Sequence, residues 1–157
     1  MEPLTFAAVL ALGSIALTGA YQDIRYRLLP NWLSVAALIG GLGFGLARLG
    51  PPLAAMSLVH ALIALLAGMA LFAMRLFGGG DAKFYAGLAG WFPLSQAGQF
   101  AAATALAGLV FALIWLAAGQ RRRRRAGNGQ CKGDFAKLPY GVAISSGALI
   151  AYVYGIA

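Results

Sequence analysis

The chain is a succession of long apolar runs broken by a few short polar joints. Residues 3–20 form the first run. The second opens at Pro30 and lasts to about Leu49; proline suits a first helical turn, where its missing N–H would go unpaired anyway. The Gly50-Pro51-Pro52 turn starts the third, from about Leu53 to Phe77. A shorter fourth run, 82–94, follows three glycines. The fifth covers about Ser95 to Ala118, and the sixth runs from Pro139 to the C-terminus. Runs of this length read as membrane-spanning helices. The pattern predicts an all-α membrane protein, a six-transmembrane helix bundle forming a single domain over residues 1–157, with a polar, basic loop at 119–137.

The fourth run is the awkward one. At ~1.5 Å per residue it covers only ~20 Å of a ~30 Å hydrocarbon core, the length of a re-entrant piece. Charge decides between the readings. If all six runs cross, then Arg25, Arg27, Arg75, Lys83, Arg121–Arg125, Lys132 and Lys137 share one side and only Arg48 falls on the other. If the fourth does not cross, the arginine run lands opposite Arg25, Arg27 and Lys83. The excess of Lys and Arg on cytoplasmic loops favours six crossings with both termini on the non-cytoplasmic side. A thinned bilayer or protein-shielded ends accommodate a short span.

Composition agrees. Of 157 residues, 61% are hydrophobic and 10% charged, whereas a soluble domain is nearer half apolar and about a quarter charged. This excludes a soluble protein with an anchor, and the length leaves no room for a domain beyond the bundle. Met1-Glu2-Pro3 lacks the positive flank of a signal peptide and no A-x-A-like site follows, so the first run is expected to be retained. A net charge of +8 in a soluble protein suggests nucleic acid. Here five of the twelve basic residues form the run Arg121–Arg125; in a membrane protein such a run marks a cytoplasmic loop beside anionic lipid, so membrane lipids rather than nucleic acid are the expected partner. The single cysteine, Cys131, excludes an intrachain disulfide and a Cys-rich zinc site.

Against this background two of the four acidic residues stand out. Asp23 and Asp81 lie at the edges of apolar runs, where a carboxylate is costly and calls for a functional explanation. Glu2 and Asp134 lie outside such runs. The six-crossing topology puts Asp23 and Asp81 at the same, cytoplasmic, boundary. Each has a structural alternative. Asp81 suits a helix N-cap, although a cap does not need Gly78–Gly80 before it; glycines there admit a close backbone or a positive φ. Asp23 falls near a helix C-terminus, where the dipole disfavours it, and pairing with Arg25 or Arg27 is the alternative. Two nearby carboxylates cannot both ionise easily, so they share a proton and together can act as base and acid. Their titration then belongs to the pair.

The remaining polar positions have plainer readings. His60 in the third run is expected to make a helix–helix hydrogen bond, with a proton relay as the alternative. Gly41 and Gly45 form a G-x-x-x-G pattern expected to serve internal helix packing rather than a dimer. Trp32, Trp91 and Tyr140 are placed near interfaces, as an aromatic belt.

Three blocks carry a resemblance: Asp23 followed by Leu29-Pro30-Asn31; Gly78-Gly79-Gly80-Asp81-Ala82-Lys83, which fits G-x-G-D-x-K; and Leu138-Pro139-Tyr140-Gly141 opening the last run. In this order the chain resembles the type IV prepilin peptidases, membrane-embedded aspartic proteases of the GxGD type. It looks most like their short branch serving tight-adherence (Flp-type) pili. Longer members carry a cytoplasmic N-methyltransferase region with paired C-x-x-C motifs between the first spans; here residues 20–30 make only a short joint.

The resemblance implies cleavage without N-methylation, in a bacterial inner membrane, with the site toward the cytoplasm. It implies Asp23 and Asp81 as the catalytic pair and Gly78, Gly80, Lys83, Pro139, Tyr140 and Gly141 as residues that bind substrate or shape the site. It requires no metal or cofactor. The implied substrate is a prepilin or pseudopilin with a short basic leader ahead of an apolar helix, and contacts with pilus or secretion machinery follow from that setting. The rival reading is a noncatalytic membrane subunit whose aspartates are caps and ion-pair partners.

Overall fold

The computed structural model describes residues 3–126 and 140–156. Cys131, Asp134 and Pro139 lie outside them. The described residues form six helices: α1 (Pro3–Tyr26), α2 (Asn31–Leu49), α3 (Pro51–Ala73), α4 (Gly79–Ala89), α5 (Ala97–Ala126) and α6 (Tyr140–Ile156), with a 3-10 turn at Leu94–Gln96. α1, α2, α3 and the stretch Leu94–Ala117 are long and apolar enough to cross a bilayer. Their outward faces carry exposed Leu, Ile and Val, as lipid-facing surfaces require.

α4 is the centre of the bundle, packed against α2, α3 and α6. Phe84 and Leu88 are fully buried, and Ala82, Ala86 and Ala89 are buried around them. A helix wrapped in protein need not match the thickness of the hydrocarbon, and α4 has only 11 residues. Small residues let the neighbours close on it. A Cβ at Gly87 would collide with the Ser34 carbonyl oxygen, and one at Gly19 with the Phe84 ring. A Cβ at Gly68 would lie 2.9 Å from that of Ala82.

The chain then leaves α4 inside the protein. Amides of Gly90, Trp91 and Phe92 bond back to the carbonyls of Gly87, Leu88 and Ala89, tightening the last turn. His60 Nδ1–H donates to the Phe92 carbonyl at 2.9 Å, so its partner is this irregular chain rather than the second helix expected from the sequence. Irregular backbone at membrane depth is tolerated where protein satisfies its polar groups, as it does here.

Trp91 corrects the sequence reading. It is buried rather than interfacial, donating its indole N–H to the Ala37 carbonyl at 2.8 Å and stacking on Phe44. Gly41 makes this possible: a Cβ there would lie 2.6 Å from the Gly90 carbonyl carbon. Its pattern partner Gly45 meets no neighbour within 4 Å. The G-x-x-x-G pattern therefore serves internal packing through one of its two glycines.

Several boundaries differ from expectation: α4 is Gly79–Ala89 rather than 82–94. α1 continues past residue 20 to Tyr26, which puts Asp23 inside its last turn. α3 ends at Ala73, and Met74–Gly78 form a turn in which Arg75 has φ 59°. The backbone of α5 stays helical through Arg121–Arg125 to Ala126, so the basic segment begins as helix rather than loop; arginine is a good helix former. α5 runs antiparallel to α6, with Gly147 against Thr104 and Gly108 against Ala143. The arginine end of α5 thus emerges at the end of the bundle that holds Tyr140.

Gly41→Leu is expected to cost about 2 kcal/mol or more, the usual penalty for overpacking, while Gly43→Leu, with open space around it, leaves stability unchanged. Unfolding midpoints of the two variants in detergent check this.

Candidate active site

The site forms where four helix ends meet. α1 ends with Asp23 in its last turn, α3 ends at the turn before Gly78, and α4 and α6 begin there. A cavity of about 990 Å³ opens between them, and both Asp23 and Asp81 line it. All three sequence blocks reach this cavity: Leu29 and Asn31 from the first, Gly78, Gly80 and Asp81 from the second, Tyr140 from the third.

Asp23 is 7% exposed. Its position is poor for its own helix, since a carboxylate at a helix C-terminus opposes the dipole. The compensation comes from α6. The Gly141 N–H, one of the amides left free in the first turn of a helix, donates to Asp23 Oδ2 at 2.6 Å. A helix N-terminus is a favourable seat for an anion. Gly141 has to be glycine for this contact, because a Cβ would lie 2.9 Å from both Cβ and Oδ2 of Asp23. The partner is thus an amide 118 residues away. Of the flanking arginines, Arg25 lies over the Tyr26 ring, whereas Arg27 lines the cavity with Asp23 and its charge acts on that carboxylate.

Asp81 is not the N-cap. α4 starts at Gly79, its N-cap is Gly78, and no side chain caps it. Asp81 occupies the first turn, where its charge still suits the dipole. Gly78 has φ −75°, an ordinary extended value, so positive φ is not why glycine stands there. A Cβ at Gly78 would collide with Asp81 Oδ2, so this glycine clears space for the carboxylate itself. A Cβ at Gly80 would lie 3.4 Å from the Leu29 carbonyl oxygen, so the joint before α2 rests against it.

Lys83 faces elsewhere. Two residues on from Asp81 is ~200° around a helix, and its Nζ donates to Asn31 Oδ1 at 3.1 Å. It ties α4 to the start of α2 and does not line the cavity among the described residues. Tyr140, half exposed, meets the edge of Phe77 with ring centroids 5.8 Å apart. Pro139 lies outside the described residues.

The sequence reading missed the far wall of the cavity, Phe72, Arg75, Leu76 and Phe77. It also missed that Arg27 and Arg75 both adopt positive φ, at 53° and 59°. Non-glycine residues in this region are uncommon and cluster at functional sites. No motif marks them; their position just after α1 and α3 is the only signal.

The sequence model of the type IV leader peptidase family matches residues 10–113. The chain belongs to this family. The match takes in both Asp23 and Asp81 and stops short of Tyr140 and Gly141. No curated protein and no solved structure matches the chain. Membership makes this helical membrane protein a peptidase of the leader-peptidase type.

Gly141→Ala is expected to push Asp23 off its amide and to lower peptidase turnover about a hundredfold, the scale of an ångström-sized misplacement. Gly108→Ala, whose Cβ would meet only the Ala143 methyl at 3.5 Å, leaves turnover unchanged. Cleavage rates at matched membrane abundance check both.

Proposed function

We propose that the chain is an aspartic endopeptidase that removes the leader of Flp-type prepilins or pseudopilins at the cytoplasmic face of a bacterial inner membrane. Asp23 and Asp81 are its catalytic pair. The observation that carries the reading is that both carboxylates line one cavity, one of them held by the first turn of α6. The family membership supports it.

In this reading the two carboxylates share one proton. The ionised one takes a proton from water, whose oxygen attacks the scissile carbonyl carbon. The protonated one donates to the carbonyl oxygen; the C–N bond then breaks as the first carboxylate returns its proton to the leaving nitrogen and the second takes one from the tetrahedral diol. The Gly141 bond keeps Asp23 oriented through both steps. Gly78 leaves room for Asp81 to turn toward the substrate.

All six helices cross, with both termini outside. α4 manages this with the buried segment that follows it: its N-terminus lies at the carboxylate cavity, whereas Gln96 approaches Gly155 near the far end of α6. The arginine end of α5 then shares a side with the site, in line with the charge asymmetry. Only residues 27–30 join α1 to α2. That leaves no place there for a methyltransferase region, so the activity is cleavage alone.

Asp23→Asn and Asp81→Asn are each expected to abolish leader removal while the protein still accumulates in the membrane. The test is co-expression with a prepilin in cells lacking other prepilin peptidases, with leader removal read by mass. Normal processing by either variant sinks the proposal; a fall in abundance with no cleavage by the purified wild type points to a noncatalytic subunit. A reporter active only in the cytoplasm is expected to be active when inserted at Gly129 and silent at Gly50.

A further inference from the structure

A second cavity, of about 350 Å³, opens on the outer surface of the bundle between α2 and α3. Its walls are Val35 and Leu38 from α2 and Leu58 and Leu62 from α3, over a floor of Ala86 and Gly87 from α4. Val35, Leu58 and Leu62 are exposed, so the groove opens to lipid. Its head is the Lys83–Asn31 hydrogen bond. From Asn31 to Leu38 it follows α2 for ~10 Å, about two helical turns.

Two features set it apart from ordinary lipid-facing relief. First, Asn31 lines both this groove and the carboxylate cavity, so the two adjoin at that residue. A groove of similar volume, about 310 Å³, lies between α5 and α6, and among the described residues it shares none with the carboxylate cavity. Second, the buried hydroxyl of Ser34, a groove residue 8% exposed, has no hydrogen-bond partner among the described residues. Helices associate in lipid through close packing at small residues and through interhelical hydrogen bonds, since apolar burial gains nothing there. Ala86 and Gly87 supply the first, and the Ser34 hydroxyl, once rotated toward the groove, the second.

We propose that this groove is the docking site for the apolar helix of the substrate. The helix lies along α2 and α3 with its N-terminal end at Asn31 and Lys83. The peptide that precedes it passes Asn31 into the cavity of Asp23 and Asp81. This inference rests on the peptidase reading and adds where the uncut part of the substrate is held. It also gives Lys83 and Asn31 a role, marking where docked helix ends and extended peptide begins.

The test uses the full chain in membranes carrying Asp23→Asn, so that substrate is not consumed, co-expressed with a Flp-type prepilin. A photo-crosslinking residue is placed at Val35 or Leu62, and at Val110 or Ile150 on the α5–α6 groove for comparison. Crosslinks to the prepilin's apolar segment are expected to be about tenfold more abundant from Val35 and Leu62. Equal yields from Val110 and Ile150, or phospholipid adducts alone at Val35 and Leu62, overturn the proposal. In the otherwise wild-type chain, Leu62→Trp is expected to lower kcat/KM for the prepilin about tenfold at matched abundance, and Ile150→Trp to leave it unchanged. Undiminished cleavage by Leu62→Trp also overturns it. A wild-type chain that crosslinks through the groove yet cleaves nothing supports the docking site and counts against the peptidase reading instead.

Discussion

The bond between the Gly141 amide and Asp23 is the contact on which the site depends. It resolves a conflict built into α1, a buried carboxylate at the wrong end of a helix dipole. The free amides at the start of α6 supply what α1 lacks. In doing so they fix the distance between the first and last helices at the site end of the bundle. The glycine at 141 is the geometric condition, because a Cβ there would lie only 2.9 Å from both Cβ and Oδ2 of Asp23.

The second constraint is the burial of α4. Asp81 has to reach the same cavity from the centre of the molecule, and α4 gets there by being surrounded. Glycines at 19, 41, 68 and 87 on the flanking helices and on α4 itself let backbone approach ring or backbone. The cost is a helix too short to reach the far side and a stretch of irregular chain within the protein. The bonds of Gly90, Trp91 and Phe92 satisfy the amides of that stretch, and His60 its Phe92 carbonyl. Trp91 closes it with its indole N–H on Ala37 and its ring against Phe44 and Tyr152. The apolar core and the placement of Asp81 are therefore one arrangement.

The same packing explains why neighbouring motif residues do different work. Asp81 and Lys83 stand two apart in one block, yet one lines the cavity and the other reaches Asn31. Gly78 clears space for a carboxylate, whereas Gly80 borders the joint before α2. The motif is thus a set of separate contacts made on opposite sides of one short helix.

Much was legible before any coordinates. Apolar runs give the helices because a lipid-facing helix must be apolar along its length, and that is a local property. The two aspartates announce themselves because carboxylates are rare and costly in such a chain. The asymmetry of Lys and Arg puts them at one end, since charge bias is read loop by loop. What a carboxylate binds, however, depends on which elements pack together, and no local pattern encodes it. Tertiary structure alone gives Asp23 the α6 amide, turns Lys83 to Asn31 and buries Trp91 under Gly41. It also forms the cavity wall from the turn after α3. Apolar length and charge fix roughly where each helix lies along the chain and which ends share a side; close packing at a few glycines decides which of those ends meet.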